Sequence, residues 1–299
     1  MIRTCDAHCH FFSSKFFTLL TQSQASAADV TAKLGWDDPG APEQLADRWV
    51  AELDRHGVAR SALIASIPGD EDSVATAVLR HPSRFVGYFM FNPTAADALA
   101  RLSQALDTRA FRVVALFPAM HHYALDDRRV EEVFEEAGAR GAVVFVHCGV
   151  LSVGVRRKLG LPSPFDLRLG DPIALARTAA RYPHVPVIIP HFGAGLFKEA
   201  LMAADQCANI HLDTSSSNSW MRYHPRLTLA DVFRSALDVA GPDRLLFGTE
   251  CPGTGSAINP ATGDSMDNVA SYLNAFDWLS AEDKKKIFED NARKLFKLN

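Results

Sequence analysis

The sequence predicts an α/β fold, the (β/α)8 TIM barrel, on three observations. Short apolar runs rich in β-branched and aromatic residues alternate with helical patterns along the whole chain. There are eight of these runs, and eight strand–helix units close a parallel sheet into a barrel. The first run is not followed by the Gly-rich phosphate turn that usually marks a doubly wound open sheet, which is the competing fold.

The predicted strands are nearly continuous apolar runs, as expected when helices cover a sheet outside and side chains fill it inside. Gly or Pro residues separate them from their neighbours. In chain order they cover residues 2–8, 61–67, 84–91, 111–117, 142–147, 185–191, 209–215 and 244–250.

Helical spacing of apolar residues fills the intervals between the strands. The first such helix is PEQLADRWVAELDRHG, in which Pro42 suits the first turn. The others, in order, are DSVATAVLRH, TAADALARLSQAL, DRRVEEVFEEAGARG, DPIALARTAARY, FKEALMAADQC and LADVFRSALDVAG, with NVASYLNAFDWL and AEDKKKIFEDNARKLFKL after the eighth strand.

Three connections are longer than usual, and all of them follow the C-terminal ends of strands. They cover residues 13–41, 149–170 and 251–267. On a barrel those ends form the catalytic face, so the long loops predict lids or substrate walls, with surface decoration as the alternative. We expect residues 1–299 to form one domain.

Composition places the chain among ordinary globular proteins. Of its 299 residues, 47% are hydrophobic and 22% are charged. The formal net charge of −4 offers no basic face for nucleic acid, and no apolar run reaches the ~18 residues that a membrane span needs. We therefore expect a small-molecule substrate and neither a nucleic-acid nor a membrane partner.

The cellular compartment and the oligomeric state can also be predicted. The first predicted strand begins at Ile2, which leaves no room for a secretory leader, and the five cysteines show no repeated CxxC spacing. We expect a cytoplasmic protein, and a homodimer because symmetric dimers are the commonest oligomers.

Two histidines stand one residue apart in DAHCHFF, residues 6–12. Because side chains alternate along a strand, His8 and His10 leave the same face, roughly 7 Å apart at their Cα atoms, and can converge on one metal ion. The same alternation places Asp6 inside the barrel, as a buried partner beneath these histidines, and turns Cys9 toward the helices.

Further polar residues stand at the ends of other predicted strands. His147 ends strand 5, His191 ends strand 6 and Glu250 ends strand 8. A closed barrel brings these ends to one rim, where His8, His10, His147 and a carboxylate would surround a point on the axis. Imidazole and carboxylate ligands with an open position suit a catalytic divalent ion, Zn²⁺ first, with Mn²⁺ and Fe²⁺ also compatible.

Such a site activates water. A bound divalent cation lowers the pKa of water from 15.7 toward roughly 7, and Glu250 or His191 would take the proton as that water attacks a carbonyl. The predicted function is hydrolysis of an amide, ester or lactone bond of a small organic acid. The alternatives are a metal-dependent non-oxidative decarboxylase, in which the acid–base pair protonates carbon, and a catalytically inactive barrel that acts as a binding protein.

The motifs resemble those of one superfamily. DAHCHFF, VHCG, PHFGAG, FGTECP and the closing IFEDNARKLFKL are similar to segments of the metal-dependent amidohydrolases. More narrowly, the chain resembles the amidohydrolase-2 branch, which includes aminocarboxymuconate-semialdehyde decarboxylase and the resorcylate decarboxylases. The resemblance covers essentially the whole chain and implies metal ligands at His8, His10 and His147, a catalytic histidine at His191 and the strand-8 acid at Glu250.

Two positions depart from the family pattern. Strand 8 has Glu250 where the family usually has aspartate, so the carboxylate lies one methylene farther out and either binds the metal or acts through a bound water. Strand 4, VVALFPAM, lacks the lysine that is carbamylated in two-metal members. The resemblance therefore implies one metal ion.

Side chains near the predicted mouth are candidates for substrate contact. Arg156 and Arg168, in the loop after strand 5, would clamp a substrate carboxylate, with surface solvation as the alternative. Trp220 and Arg222, after strand 7, would line a pocket for a planar acid. Asp213 on strand 7 is predicted to orient the strand-6 histidine or to contact substrate, with a structural role as the alternative.

Overall fold

Eight parallel strands form one sheet whose order follows the chain. The structure is a computed structural model, and it describes residues 2–22, 25–215, 218–250 and 269–298. The strands are β1 (Cys5–Phe11), β2 (Arg60–Ala65), β3 (Phe85–Phe91), β4 (Phe111–Leu116), β5 (Val143–Val146), β6 (Val187–Ile189), β7 (Ile210–Asp213) and β8 (Leu245–Leu246).

The first strand meets the segment that follows the last one, which closes the ring. The Ala7 N–H donates to the Phe247 carbonyl at 2.8 Å, and the Glu250 N–H donates to the His8 carbonyl at 2.8 Å. The predicted (β/α)8 barrel is confirmed. All strand C-terminal ends therefore lie on one face, which is the catalytic face of this fold.

Helices alternate with the strands as predicted, and the first of the predicted helices begins at Pro42. They are α1 (Ser14–Thr21), α2 (Ala27–Leu34), α3 (Pro42–Arg55), α4 (Glu71–Arg80), α5 (Ala98–Asp107), α6 (Pro118–His121), α7 (Arg128–Arg140), α8 (Gly154–Lys158), α9 (Pro172–Ala179), α10 (Phe197–Gln206), α11 (Leu229–Ala240), α12 (Val269–Asn274), α13 (Ala281–Lys285) and α14 (Asn291–Leu295). None of the helices in the described ranges is long and apolar enough to cross a membrane.

Two strands are shorter than predicted because their ends turn out of the sheet. Pro190 has no N–H to donate to a neighbouring strand, and His191 has a left-handed φ of 54°. After β8, the Phe247 N–H donates to the Ile287 carbonyl instead of to a strand, and Glu250 has a φ of 56°. The residues predicted to end these two strands therefore stand in turns above the sheet.

The pairing of β1 with β2 contains a bulge. Asp6 pairs with Ser61, but Cys9 pairs with Leu63, so three steps along β1 match two along β2. The extra residue interrupts the alternation of side chains, and Ala7 packs in the barrel interior.

This bulge makes the predicted direction of the Asp6 side chain wrong, whereas its predicted burial is confirmed. Asp6 accepts hydrogen bonds from Cys9 Sγ at 3.0 Å and from Thr249 Oγ1 at 2.6 Å. Cys9 packs in the apolar layer between sheet and helices, as predicted. Asp6 thus joins β1 to the segment after β8 on the side of Cys9 and does not lie beneath the histidines.

A separate apolar cluster fills the barrel and is closed at the bottom by α14. Tyr88 and Phe145 lie in this interior cluster with Ala292 and Phe296 from the end of the chain. The rings of Tyr88 and Phe296 are 5.6 Å apart. The ammonium group of Lys297 donates to the carbonyl of Gly141, just before β5, which places α14 at the N-terminal end of the barrel.

A third apolar cluster lies over the opposite end. It joins Phe16, Phe17 and Val30 of the loop after β1 to Val155 of α8, in the loop after β5. Because β1 and β5 stand on opposite sides of an eight-stranded ring, this contact crosses the catalytic face. The predicted loop at 251–267 lies outside the described residues.

Candidate metal centre

Three possible metal ligands meet where β1 approaches the end of β8. One donor atom each from His8, His10 and Glu250 lies within 4.8 Å of the other two. His8 is buried, and the Glu250 side chain is 23% exposed. The carboxylate is therefore the part of this group that reaches toward the open mouth.

The ring of His8 is oriented by Asp213 at the end of β7. His8 Nδ1 lies 2.6 Å from Asp213 Oδ2, and both side chains are buried. Burial opposes the charged carboxylate, yet the neighbouring His8 lowers the pKa of Asp213. The carboxylate thus accepts the Nδ1 hydrogen, so that the neutral ring of His8 offers the lone pair of Nε2 to a metal ion.

The ring of His10 is oriented by Ser66, which follows β2. His10 Nδ1 lies 2.7 Å from Ser66 Oγ, and the hydroxyl donates its hydrogen to the Ile64 carbonyl at 3.0 Å. The hydroxyl can only accept from the imidazole, so His10 carries its hydrogen on Nδ1. Its Nε2, like that of His8, is free for a metal ion.

The surroundings of His8, His10 and His147 shift their pKa values in different directions. Burial holds the pKa of His10 and of His147 well below the usual range, and the neighbouring histidines lower both further. For His8 burial also acts against the charged form, but Asp213 outweighs it and raises the pKa. Neutral imidazoles are the form that binds metal, so His10 and His147 need to lose no proton for it.

His191 and Glu250 face each other across the mouth. His191 Nε2 lies 3.5 Å from Glu250 Oε1. Both residues adopt left-handed backbone conformations, with φ of 54° and 56°. Such conformations cost on the order of 1–2 kcal/mol for residues with a Cβ atom, and they concentrate at functional sites.

Gly248 allows β1, β7 and the end of β8 to approach each other. A Cβ atom at this position would lie 2.9 Å from His8 Cβ and 3.0 Å from Asp213 Oδ1. A side chain would therefore displace the His8–Asp213 pair.

His147 lies beside this group but is not one of the three donors that come within 4.8 Å of each other. Its ring is 5.4 Å from that of His191, which is 5.0 Å from that of His8. Its Nδ1 is buried without a hydrogen-bond partner in the described part of the chain. The four predicted histidines thus form one cluster, and metal ligation by His147 stays a prediction.

Two site residues, Ser66 and Ser215, were missed by reasoning from the sequence. Ser215 Oγ lies 2.8 Å from His191 Nδ1 and 3.2 Å from His8 Nδ1. The available signal was the spacing of two that puts Ser215 on the same face as Asp213. Ser66 stands two residues after Ile64, which pairs with His10.

The two arginines predicted to clamp substrate are engaged locally. Arg156 donates to the Pro162 carbonyl at 3.0 Å. Arg168 pairs with Asp166 at 2.6 Å, and its side chain is 89% exposed. Neither contacts the histidine cluster within the described ranges, and their role toward substrate stays a prediction.

The three candidates from β7 and the segment after it lie in different surroundings. Trp220 is buried and packs on Phe197, with ring centroids 5.9 Å apart. Arg222 is exposed and lies over the Tyr223 ring at 5.2 Å. Asp213 contacts His8 and not His191, so the structure gives it an orienting role toward a different histidine from the one predicted.

Together these side chains suit a divalent cation. Two imidazole nitrogens with free lone pairs and one carboxylate converge, and each imidazole is held by a hydrogen bond on its far side. The buried Nδ1 of His147 is a further possible ligand atom, and it has no hydrogen-bond partner among the described residues. Such a donor set is typical of catalytic metal sites.

A known protein family matches nearly the whole chain. A family model described as "Amidohydrolase" matches residues 5–298. A curated protein, 2-keto-4-carboxy-3-hexenedioate hydratase from Sphingobium sp., is 30% identical over 128 residues. That alignment spans 39% of this chain and 35% of the hydratase, so it covers only about a third of the relative's length.

Solved structures share the fold at low sequence identity. A 5-carboxyvanillate decarboxylase from Novosphingobium aromaticivorans, with bound manganese, superposes with a TM-score of 0.68 and 15% identity over 99% of this chain and 97% of that one. A 4-oxalomesaconate hydratase from Rhodopseudomonas palustris superposes with a TM-score of 0.64 and 17% identity over 100% of this chain and 96% of that one.

Proposed function

Because this chain belongs to the amidohydrolase-2 family of metal-dependent enzymes, we propose that it adds water to an electrophilic carbon of a small carboxylic acid. The observation that carries the proposal is the meeting of Glu250 with the two strand-1 histidines on one side and with His191 on the other. A carboxylate and an imidazole beside a metal site are the groups that accept and donate protons when water attacks.

His8, His10 and Glu250 would hold the metal ion, with His147 as the further predicted ligand. When bound, the ion lowers the pKa of water and stabilises negative charge on a substrate oxygen. Asp213 and Ser66 keep the two strand-1 imidazoles in the tautomer that leaves Nε2 free. We rank zinc first by donor chemistry, with manganese or iron compatible.

The reaction we favour is hydration of a carbon–carbon double bond conjugated to a carbonyl group. Its support is the curated hydratase, whose sequence is similar to this chain over 128 residues. One side chain of the pair removes a proton from water as the oxygen bonds to the carbon β to the carbonyl. A proton is then delivered to the α-carbon, so that one water molecule is consumed, the π bond and one O–H bond of water are broken, and no σ bond of the substrate is cleaved.

Hydrolysis of an amide, ester or lactone is the second candidate, because the Glu250–His191 pair serves attack on a carbonyl equally well. Non-oxidative decarboxylation, the third, is the activity named for the manganese-bound neighbour. It would use the pair to protonate carbon without adding water. The three reactions differ in the fate of water and in the release of CO2.

The metal requirement is tested first by elemental analysis of protein purified without added metal. We expect about one equivalent of divalent metal in the wild type and loss of it in the His8→Ala/His10→Ala double variant. His224→Ala, which removes a histidine outside the cluster, is the matched control. An absence of metal from the wild type even after reconstitution would contradict the site.

The reaction class is tested with the metal-loaded enzyme and three kinds of substrate: unsaturated oxo-dicarboxylic or tricarboxylic acids, lactones and esters of small acids, and hydroxylated aromatic acids. Hydration predicts loss of the conjugated absorbance and one ¹⁸O atom from labelled water, without CO2. Glu250→Gln should lower turnover by about 10²- to 10⁴-fold, while Glu282→Gln, on the surface, should not. CO2 release without incorporation of ¹⁸O would contradict hydration and show that the enzyme is a decarboxylase.

A further inference from the structure

We propose that Ser215 is a positioning residue that fixes the tautomer of His191, which makes His191 a hydrogen-bond donor and leaves Glu250 as the base. The inference rests on the proposed function, because it divides the acid–base work of that same site. Sequence reasoning left both residues as candidates for the base. The contacts of one buried hydroxyl decide between them.

The Ser215 hydroxyl is shared between two imidazoles. The residue is fully buried, and its Oγ lies 2.8 Å from His191 Nδ1 and 3.2 Å from His8 Nδ1. Its backbone N–H donates to Asp213 Oδ1 at 2.5 Å, which fixes its place above the end of β7.

His8 cannot accept the hydroxyl hydrogen. Its Nδ1 lies 2.6 Å from the Asp213 carboxylate, which only accepts, so this nitrogen carries a hydrogen. Ser215 Oγ can therefore accept from His8 but cannot donate to it. Among the described residues, the other acceptor at hydrogen-bond distance is His191 Nδ1.

The hydroxyl of Ser215 consequently donates to His191 Nδ1. If that nitrogen also carried a hydrogen, the hydroxyl hydrogen would be buried without an acceptor, which is unfavourable. With a lone pair on Nδ1, the neutral ring of His191 carries its hydrogen on Nε2. That Nε2–H is the group that lies 3.5 Å from Glu250 Oε1.

This tautomer assigns the roles of base and of hydrogen-bond donor to different side chains. A protonated Nε2 cannot take a proton from water, so Glu250 does so as the new carbon–oxygen bond forms. The electron pair of the double bond moves to the conjugated carbonyl oxygen, to which the His191 Nε2–H donates a hydrogen bond. Glu250 then donates the proton that it took from water to the α-carbon, which restores its carboxylate for the next turnover.

The tautomer can be read by ¹⁵N NMR of the full chain, labelled at histidine and loaded with Zn²⁺. The signals of His191 are assigned by their loss in His191→Gln. We expect the Nδ1 resonance at the position of an unprotonated nitrogen and the Nε2 resonance at that of a protonated one. The reverse assignment in the wild type overturns the proposal, whatever the fate of the variants.

Three variants then test the part played by the hydroxyl. Ser215→Ala should shift the His191 resonances toward a mixture of tautomers and lower kcat by about 10- to 100-fold, with KM changed less than about twofold. Ser215→Thr keeps the hydroxyl and should restore both. Thr214→Val is the matched control, since the buried Thr214 hydroxyl has no hydrogen-bond partner in the described ranges.

The NMR result does not depend on a substrate. If no substrate class is turned over, the proposed function fails while the tautomer is still measured. If turnover is found but Ser215→Ala leaves the His191 resonances and kcat unchanged, the positioning role fails and the proposed function stands.

Discussion

At the scale of single residues, the site is defined by hydrogen bonds on the far sides of its imidazoles. Asp213 and Ser66 each accept the Nδ1 hydrogen of a strand-1 histidine, at 2.6 Å and 2.7 Å. Asp213 lies in β7 and Ser66 directly follows β2, so the barrel aligns the rings before any metal arrives. This alignment reduces the conformational freedom that metal binding has to restrict.

Asp213 is expected to contribute to metal affinity through His8. In Asp213→Asn the amide oxygen can still accept the His8 hydrogen, but the negative charge that makes the ring a stronger ligand is gone. We expect zinc affinity to fall by about 10- to 100-fold, measured by competition with a chromophoric chelator. Asp205→Asn, at an exposed position, should leave the affinity unchanged, and an unchanged affinity in Asp213→Asn would contradict the orienting role.

The site could be predicted from the sequence to the extent that it depends on strand ends. His8, His10, His191 and Glu250 meet as expected because a parallel barrel brings the strand C-termini together. The partner of Asp213 could not be predicted, since the choice between two histidines depends on the turn after β6.

The error for Asp6 has a similar cause. Strict alternation holds only in a regular strand, and the bulge in β1 breaks it between Asp6 and Cys9. Nothing in the residue types of DAHCHFF marks that bulge, because Ala7 is small and apolar on either face.

At the scale of elements, the loop after β1 is fastened to the rest of the barrel by a buried carboxyl. Ser13 caps α1 by accepting from the Phe16 N–H, and its hydroxyl lies 2.8 Å and 2.7 Å from the two oxygens of Asp70. Asp70 is fully buried before α4. The start of the loop that crosses the mouth is thus fixed to the loop after β2.

This carboxyl should give the protein a stability that falls as the pH rises. Burial raises the pKa of Asp70 from 3.8 to about 6, although hydrogen bonds from Ser73 and Ser13 oppose the shift. The folded protein holds this proton more tightly than the unfolded chain, so the contribution is complete below pH ~4 and is lost as the pH rises through about 6.

Asp70→Asn removes the titration and keeps an acceptor for Ser13. Its free energy of unfolding relative to wild type should increase by on the order of 2–3 kcal/mol between pH 4 and pH 7, as measured by denaturant titration at several pH values. Asp72→Asn, at an exposed position in the first turn of α4, should show no such trend. A constant difference for Asp70→Asn would contradict the raised pKa.

The existence of the strands was easier to predict than their length. Apolar runs located all eight, but β6 and β8 end early because their last residues enter turns with left-handed backbone. Those conformations depend on contacts with β1 and β7, which are distant in sequence. The long connection at residues 13–41 likewise contains α1 and α2, whose short patterns do not stand out from a loop.

At the scale of the whole molecule, the barrel is closed at one end by side chains from the end of the chain. Phe296 packs inside the barrel against Tyr88, and Asn291 donates to the Leu245 carbonyl at the start of β8. The sequence pattern predicted a terminal helix but not its position below the barrel. The opening that Phe296 fills as a plug exists only once the strands have closed into a ring.

Phe296→Ala should destabilise the entire fold by about 3–5 kcal/mol, since it opens a cavity in a core shared by the strands. Thermal unfolding monitored by circular dichroism should show a single transition at a lower temperature. Lys294→Ala, on the exposed side of the same helix, should lie within about 0.5 kcal/mol of wild type. A separate early transition for the C-terminal segment would contradict the role as a plug.

The position of α14 also bears on how the protein is made. A nascent chain emerging from the ribosome exposes β1 to β8 before Ala292 and Phe296 are synthesised, so the apolar floor of the barrel faces water until these two residues have been added. Partly formed barrels with open strand edges are prone to aggregate. Slow translation would prolong that exposure, and the yield of active protein should therefore depend on chaperones that shield the nascent sheet.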